Sequence, residues 1–203
     1  MVAIGRGPRA RVAHARADMA TAAADLLPRR PVDLALCLAV DVSASVSFEE
    51  FGLMMGGLAA AFREPGVVAA AAGGPRGAVA VALLQWSGRA AQEVGVPWRV
   101  VDGPASAGAF ADAVDACPRL LPAGATATGE AMVAGLALLG AFAGPVGRLV
   151  LDEEGPAVLA HYEAEVIGGP GCFAMDCPDY AAFAEAVARK LTRELRGSDS
   201  PLV

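Results

Sequence analysis

Asp41, Ser43 and Ser45 stand at alternating positions directly after an apolar run, Val32 to Val40, in a chain of 203 residues. Alternate side chains of extended backbone point the same way, so one carboxylate and two hydroxyls can converge on one point. All three are hard oxygen donors. Such a set suits a magnesium ion, which keeps several waters and needs only one or two carboxylates. The same residues also suit a strand-to-helix turn in which Asp and Ser satisfy backbone donors. A second polar segment, Gly124-Ala125-Thr126-Ala127-Thr128-Gly129, opens a run carrying Met132, Leu136 and Leu139. A hydroxyl from it, Thr126 or in its place Thr128, could complete a metal site, near a helix N-terminus that favours anionic ligands. Without a metal, both threonines are helix-capping residues.

Other reactive residue types carry less. The histidines are His14 and His161, and His161 falls beside Tyr162 in a helical stretch with a surface character. Ser87, in Trp-Ser-Gly, lacks the Gly-x-Ser-x-Gly setting of a nucleophile elbow. Gly168-Gly169-Pro170-Gly171 lacks the Lys-Ser/Thr ending of a phosphate-binding loop and reads as a tight turn. Cys37, Cys117, Cys172 and Cys177 have no paired C-x-x-C zinc spacing and read as buried thiols; a Cys172–Cys177 disulfide is the alternative. Asp152-Glu153-Glu154 reads as a solvated acidic turn.

The elements that must position these residues follow from periodicity. The apolar runs to Val40 and from Ala78 to Trp86 read as strands covered on both faces. Val94–Val101 and Arg148–Leu151 are further strands, with a brief one at Cys172–Met175. Ser47-Phe48-Glu49-Glu50 is a capping box, and Phe48, Phe51, Met55, Leu58 and Phe62 then form one buried helical stripe ended or kinked at Pro65-Gly66. Further helices are expected from a cap at or near Ser106, over about Thr128 to Phe142, over Pro156 to Val166, and from near Pro178 or Asp179 to the C-terminal tail. Strands alternating with helices imply an α/β, Rossmann-like doubly wound, mostly parallel sheet with helices on both faces. Ligands bind such sheets beyond the carboxyl ends of the strands. Residues 1–30 read as a weakly structured lead-in, 31–196 as one domain and 197–203 as a frayed tail.

Composition narrows the function classes. A formal charge of −6 gives no basic face for nucleic acid and no polybasic patch for a membrane surface. No apolar run reaches the ~18 residues of a membrane span. Met1 to Arg30 lacks the continuous apolar core of an export signal.

The Asp41-x-Ser43-x-Ser45 strand end, together with the Thr126-Ala127-Thr128-Gly129 loop, resembles the von Willebrand factor type A domain and its metal-ion-dependent adhesion site. Leu84-Gln85-Trp86-Ser87, Val96-Pro97-Trp98, Val166 to Gly171 and Phe183-Ala184-Glu185-Ala186 are similar to an uncharacterised bacterial branch of that superfamily, a domain of unknown function. The resemblance spans roughly Val32 to Arg196. It implies magnesium lined by Asp41, Ser43, Ser45 and Thr126, a protein partner that offers a carboxylate to the metal, no enzymatic activity, and an exported or periplasmic location. One departure stands out. The family pattern has a further Asp after the fourth strand, then a helix and another core strand. Here Gly147 to Leu151 runs straight into Asp152-Glu153-Glu154, so that loop, helix and strand are missing and the sheet is one core strand short. Asp152 is the one available stand-in for the absent Asp. Two other expectations stay open: a degenerate remnant without metal binding, and a metal-dependent phosphatase or hydrolase built on Asp41.

Overall fold

The computed structural model describes residues 30–140, 146–152, 158–168, 173–177 and 182–196. The expectations for residues 1–29, for Gly169–Cys172 and for residues 197–203 lie outside these. Four strands, β1 (Leu34–Asp41), β2 (Val79–Trp86), β3 (Gln92–Val101) and β4 (Val146–Asp152), form one sheet in the order β3-β2-β1-β4. β1 pairs in parallel with both β2 and β4, and β3 runs antiparallel to β2. The fold is thus the expected α/β class with a mostly parallel sheet.

Helices α1 (Phe48–Arg63), α2 (Pro65–Ala71), α3 (Pro104–Asp115), α4 (Thr128–Gly140), α5 (Val158–His161, continued by a wider turn over Tyr162–Val166) and α6 (Phe183–Arg196) complete the described elements. Period-two alternation sorts β1 between two cores. Leu34, Leu36, Leu38 and Val40 pack with α1, α2, α3 and α6, while Ala35, Cys37 and Ala39 pack under α4. Both faces of β1 and β2 are buried throughout, as continuous apolar runs require. Each fully buried Leu or Val contributes roughly 1.5–3 kcal/mol. The α4 face is lined by alanines, and Gly135 lets α4 approach β4: a Cβ there would stand 2.5 Å from Leu149 Cδ1. No helix among the described residues is long and apolar enough to cross a membrane.

Several local expectations are corrected. Phe48 does not join the buried stripe. It is 79% exposed, while Phe51, Met54, Met55, Leu58 and Phe62 are buried. As the first helical residue after the cap it precedes the first full turn, so its side chain projects past the core. Pro65 does not merely end α1; it starts α2, because its fixed φ and missing N–H suit a first helical position. Ser106 is not an N-cap. Gly103 holds that position in α3, and Ser106 Oγ instead accepts from Asp102 N and donates to Asp102. Phe173–Met175 is irregular rather than a strand. Its anchors lie on α6: the Phe173 carbonyl accepts from Lys190 Nζ, and the Phe173 ring lies under Lys190 and Arg193.

Candidate functional site

β1 is central in the sheet. The chain leaves it to build β2 and β3 on one side and returns to place β4 on the other. The carboxyl end of β1 is therefore the topological switch point, where open α/β sheets leave a crevice. Asp41 occupies that end, in register with Trp86 of β2.

The seven residues from Asp41 to Ser47 link β1 to the capping box of α1. Asp41 Oδ1 accepts from Ser43 N at 2.7 Å, and Oδ2 accepts from Ser43 Oγ at 3.1 Å. This turn folds because an Asp side chain bonds backbone two residues on. Ser43 Oγ also lies 3.2 Å from Ser45 Oγ. The fourth member arrives from far along the chain: Thr126 Oγ1 donates to Ser43 Oγ at 3.2 Å. All four predicted residues, Asp41, Ser43, Ser45 and Thr126, are thus brought together around one hydroxyl. Asp41 is 2% exposed and Ser43 fully buried, whereas Ser45 and Thr126 are exposed. The cluster has a rigid floor and an open mouth. Thr128 is the first residue of α4.

The loop carrying Thr126 is fastened at several points. Ala44 N donates to the Gly124 carbonyl at 2.9 Å and Ala127 N to the Ser87 carbonyl at 3.1 Å. Ser87 Oγ donates to the Pro122 carbonyl at 3.2 Å. Gln85, fully buried, donates to the Pro118 carbonyl and accepts from Leu120 N, both at 2.8 Å. Gly124 must be glycine because an added Cβ would stand 2.9 Å from Ser87 Oγ and 3.1 Å from Gly88 N.

Arg119 is the strongest fastening, and nothing in the sequence singled it out. Its guanidinium donates to the carbonyls of Val42 (2.7 Å), Ser43 (2.9 Å) and Val46 (2.8 Å). It also lies over the Phe48 ring, 5.2 Å from the centroid. One planar fork therefore shapes the β1–α1 loop through its backbone, where Thr126 meets a side chain. A lone Arg between Pro118 and Leu120 gives no sequence signal, because its targets are backbone carbonyls. Ser87 and Gln85 hold the loop rather than acting as chemical groups.

The acidic complement is thin. Asp152 ends β4, in register with Val40, so its backbone lies at the same sheet end as Asp41. No group of three or more His, Cys, Asp or Glu that could hold a metal occurs among the described residues. Cys37, under α4 and wholly buried, has its thiol pushed up to about 12 by burial, and Cys117 is raised by the same cause. Neither is a nucleophile at neutral pH.

A family model described as a protein of unknown function (DUF1194) matches residues 31–157 and 149–199. The chain belongs to this family. The two matches overlap at residues 149–157, which include β4 from Leu149 onward. No curated protein and no solved structure matches the chain significantly.

Proposed function

We propose that this chain is a non-enzymatic protein-interaction module of the von Willebrand factor type A kind. In this reading Asp41, Ser43, Ser45 and Thr126 hold Mg²⁺, and a carboxylate of a partner protein fills an open position on the ion. The observation that carries the reading is the convergence of four oxygen side chains from two loops at the switch point. Their spacing fits the ion. Adjacent ligands of an octahedron with bonds of about 2.1 Å lie about 3.0 Å apart. The Asp41–Ser43, Ser43–Ser45 and Thr126–Ser43 oxygens are separated by 3.1, 3.2 and 3.2 Å. The buried Asp41 and Ser43 are preorganised by Arg119 and by the Ser43 N–H, and the exposed Ser45 and Thr126 leave the outer side to waters and a partner.

Among the four, only Asp41 carries charge, which sets the site at the weak end of hard-cation affinities, on the order of millimolar. The von Willebrand factor type A resemblance implies a second Asp, on a loop after the fourth strand, that this chain lacks. Titration calorimetry with MgCl₂ tests the reading. Heat of binding in the natural protein that Asp41→Asn abolishes is the expected result. No binding in the natural protein rejects it.

A second reading has its own support. Both Asp41 oxygens already accept hydrogen bonds from Ser43, so the turn is satisfied without an ion. A remnant that keeps the fold and has lost metal binding would show no magnesium heat.

A further inference from the structure

We infer that Phe48 and Arg119 together form a docking site for a segment of another protein, one that sets a carboxylate against the guanidinium and a large apolar side chain against the ring. Phe48 is 79% exposed, and the fold does not need its ring. The buried residues of α1 begin at Phe51, and the helix start is fixed by Ser47 and Glu50. The ring is nevertheless held. It belongs to the first residue after the capping box, and the Arg119 guanidinium lies over it at 5.2 Å. That guanidinium is itself clamped on the carbonyls of Val42, Ser43 and Val46. An aromatic ring fixed in place and presented to solvent has the properties of a binding anchor: large contact area and little left to order on binding.

Charge decides the kind of partner. A guanidinium has more N–H donors than the three that Arg119 uses here, and all three end on neutral carbonyls. No carboxylate pairs with Arg119 among the described residues. Glu50, on the same stretch as Phe48, turns its own carboxylate back to Ser47 N at 2.7 Å. Arg119 is half-buried, and a carboxylate gains more from a cation that is partly withdrawn from water than from one on a free surface.

Both features must be met by one occupant. A purely apolar partner would cover the ring and bury the adjoining cation unpaired, which is costly. A purely acidic one would leave the ring in water. A second copy of this chain fits poorly, because a two-fold contact sets the same patch on both sides and so brings Arg119 against Arg119. An acidic side chain with an apolar neighbour satisfies ring and charge at once. The contact uses no metal, so it stands or falls apart from the magnesium reading.

Selection of a displayed random-peptide library on the full chain in EDTA tests this. Peptides in which an Asp or Glu neighbours a Phe, Tyr, Trp or Leu should be enriched. A synthetic peptide of that kind should bind the natural protein and lose affinity about ten-fold with Phe48→Ser, as removal of an aromatic anchor does. It should bind Leu53→Ser unchanged, since Leu53, 46% exposed, lies roughly 140° round α1 from Phe48. Changing the acid of the peptide to its amide, or raising the salt concentration, should also weaken binding. Phe48→Ser lies outside the core, so its circular dichroism should match that of the natural protein and a lost contact is not a lost fold. Failure to enrich any peptide overturns the proposal, as does enrichment of peptides without an acid. So does a selected peptide that binds Phe48→Ser as tightly as the natural protein, or a dimer in sedimentation equilibrium that Phe48→Ser dissociates.

Discussion

Thr126 Oγ1 stands 3.2 Å from Ser43 Oγ, although 83 residues separate the two in sequence. The contact joins the loop after β1 to the loop before α4, and every other fastening of the second loop serves to keep it. If the cluster is a metal site, Thr126→Ala should weaken magnesium binding several-fold while leaving the melting temperature without magnesium nearly unchanged, because Thr126 is exposed. Calorimetry and thermal melting of the same sample check both halves.

Arg119 shapes the backbone of the loop after β1. Arg119→Ala removes three hydrogen bonds from a charged donor, each worth about 1.5–3 kcal/mol when not shared. They act as one unit, so a total loss of about 3 kcal/mol is expected. Arg119→Lys should restore little, because an ammonium group cannot span three carbonyls in a plane. Urea unfolding of the two variants measures this.

Glu194 is buried on α6 between Arg148 of β4 and Lys190. Glu194→Ala leaves two partly buried cations without their shared carboxylate. Lys190 keeps the Phe173 carbonyl, so the expected cost is that of a charged hydrogen bond, about 1.5–3 kcal/mol. Denaturant unfolding should show a correspondingly lower midpoint with an unchanged slope.

Cys37 couples stability to alkaline pH. Its thiol rises from an ordinary 9.0 to about 12 on burial. Its contribution is complete below pH 9, where both states are protonated, and is lost as pH rises toward 12, where the unfolded thiol alone ionises. Each pH unit in that window corresponds to about 1.4 kcal/mol. Cys37→Ala should flatten the decline, and alkylation of Cys37 in the natural protein should occur only on unfolding.

The capping box gives an acid-side effect of opposite sign. Hydrogen bonds from the Ser47 backbone and side chain hold the Glu50 carboxyl below its ordinary 4.5. Its contribution is present above pH 4.5 and fades as pH falls through the lowered value. Ser47→Ala should cost about 1 kcal/mol at neutral pH and make acid unfolding less steep, as pH-jump circular dichroism can show.

The parts of this molecule governed by local rules are legible in its sequence. β1 and β2 are continuous apolar runs, and α1 announces itself by Ser47 and Glu50. Asp41, Ser43 and Ser45 are neighbours whose alternation already implies convergence. Tertiary placement decides the rest. Phe48 fits a helical stripe by spacing yet lies outside the core, because the stripe does not reveal where the opposing surface ends. Arg119, Gln85 and Ser87 act on backbone groups many residues away, which no local pattern encodes. The antiparallel sense of β3 follows from the tight turn after Trp86, where Ser87 N bonds the Ala91 carbonyl; its edge position tolerates Pro97 and Gly95. The sequence did show the short path from Leu151 to the acidic run, and the two overlapping family matches fall at that place.

The central claim is that Asp41, Ser43, Ser45 and Thr126 hold a divalent ion in the native state, and thermal melting with and without millimolar MgCl₂ tests it most directly. A ligand that binds only the folded chain must raise its stability. The account predicts a melting temperature that climbs with magnesium in the natural protein and stays fixed in Asp41→Asn. An identical melting temperature at all magnesium concentrations in the natural protein would contradict it.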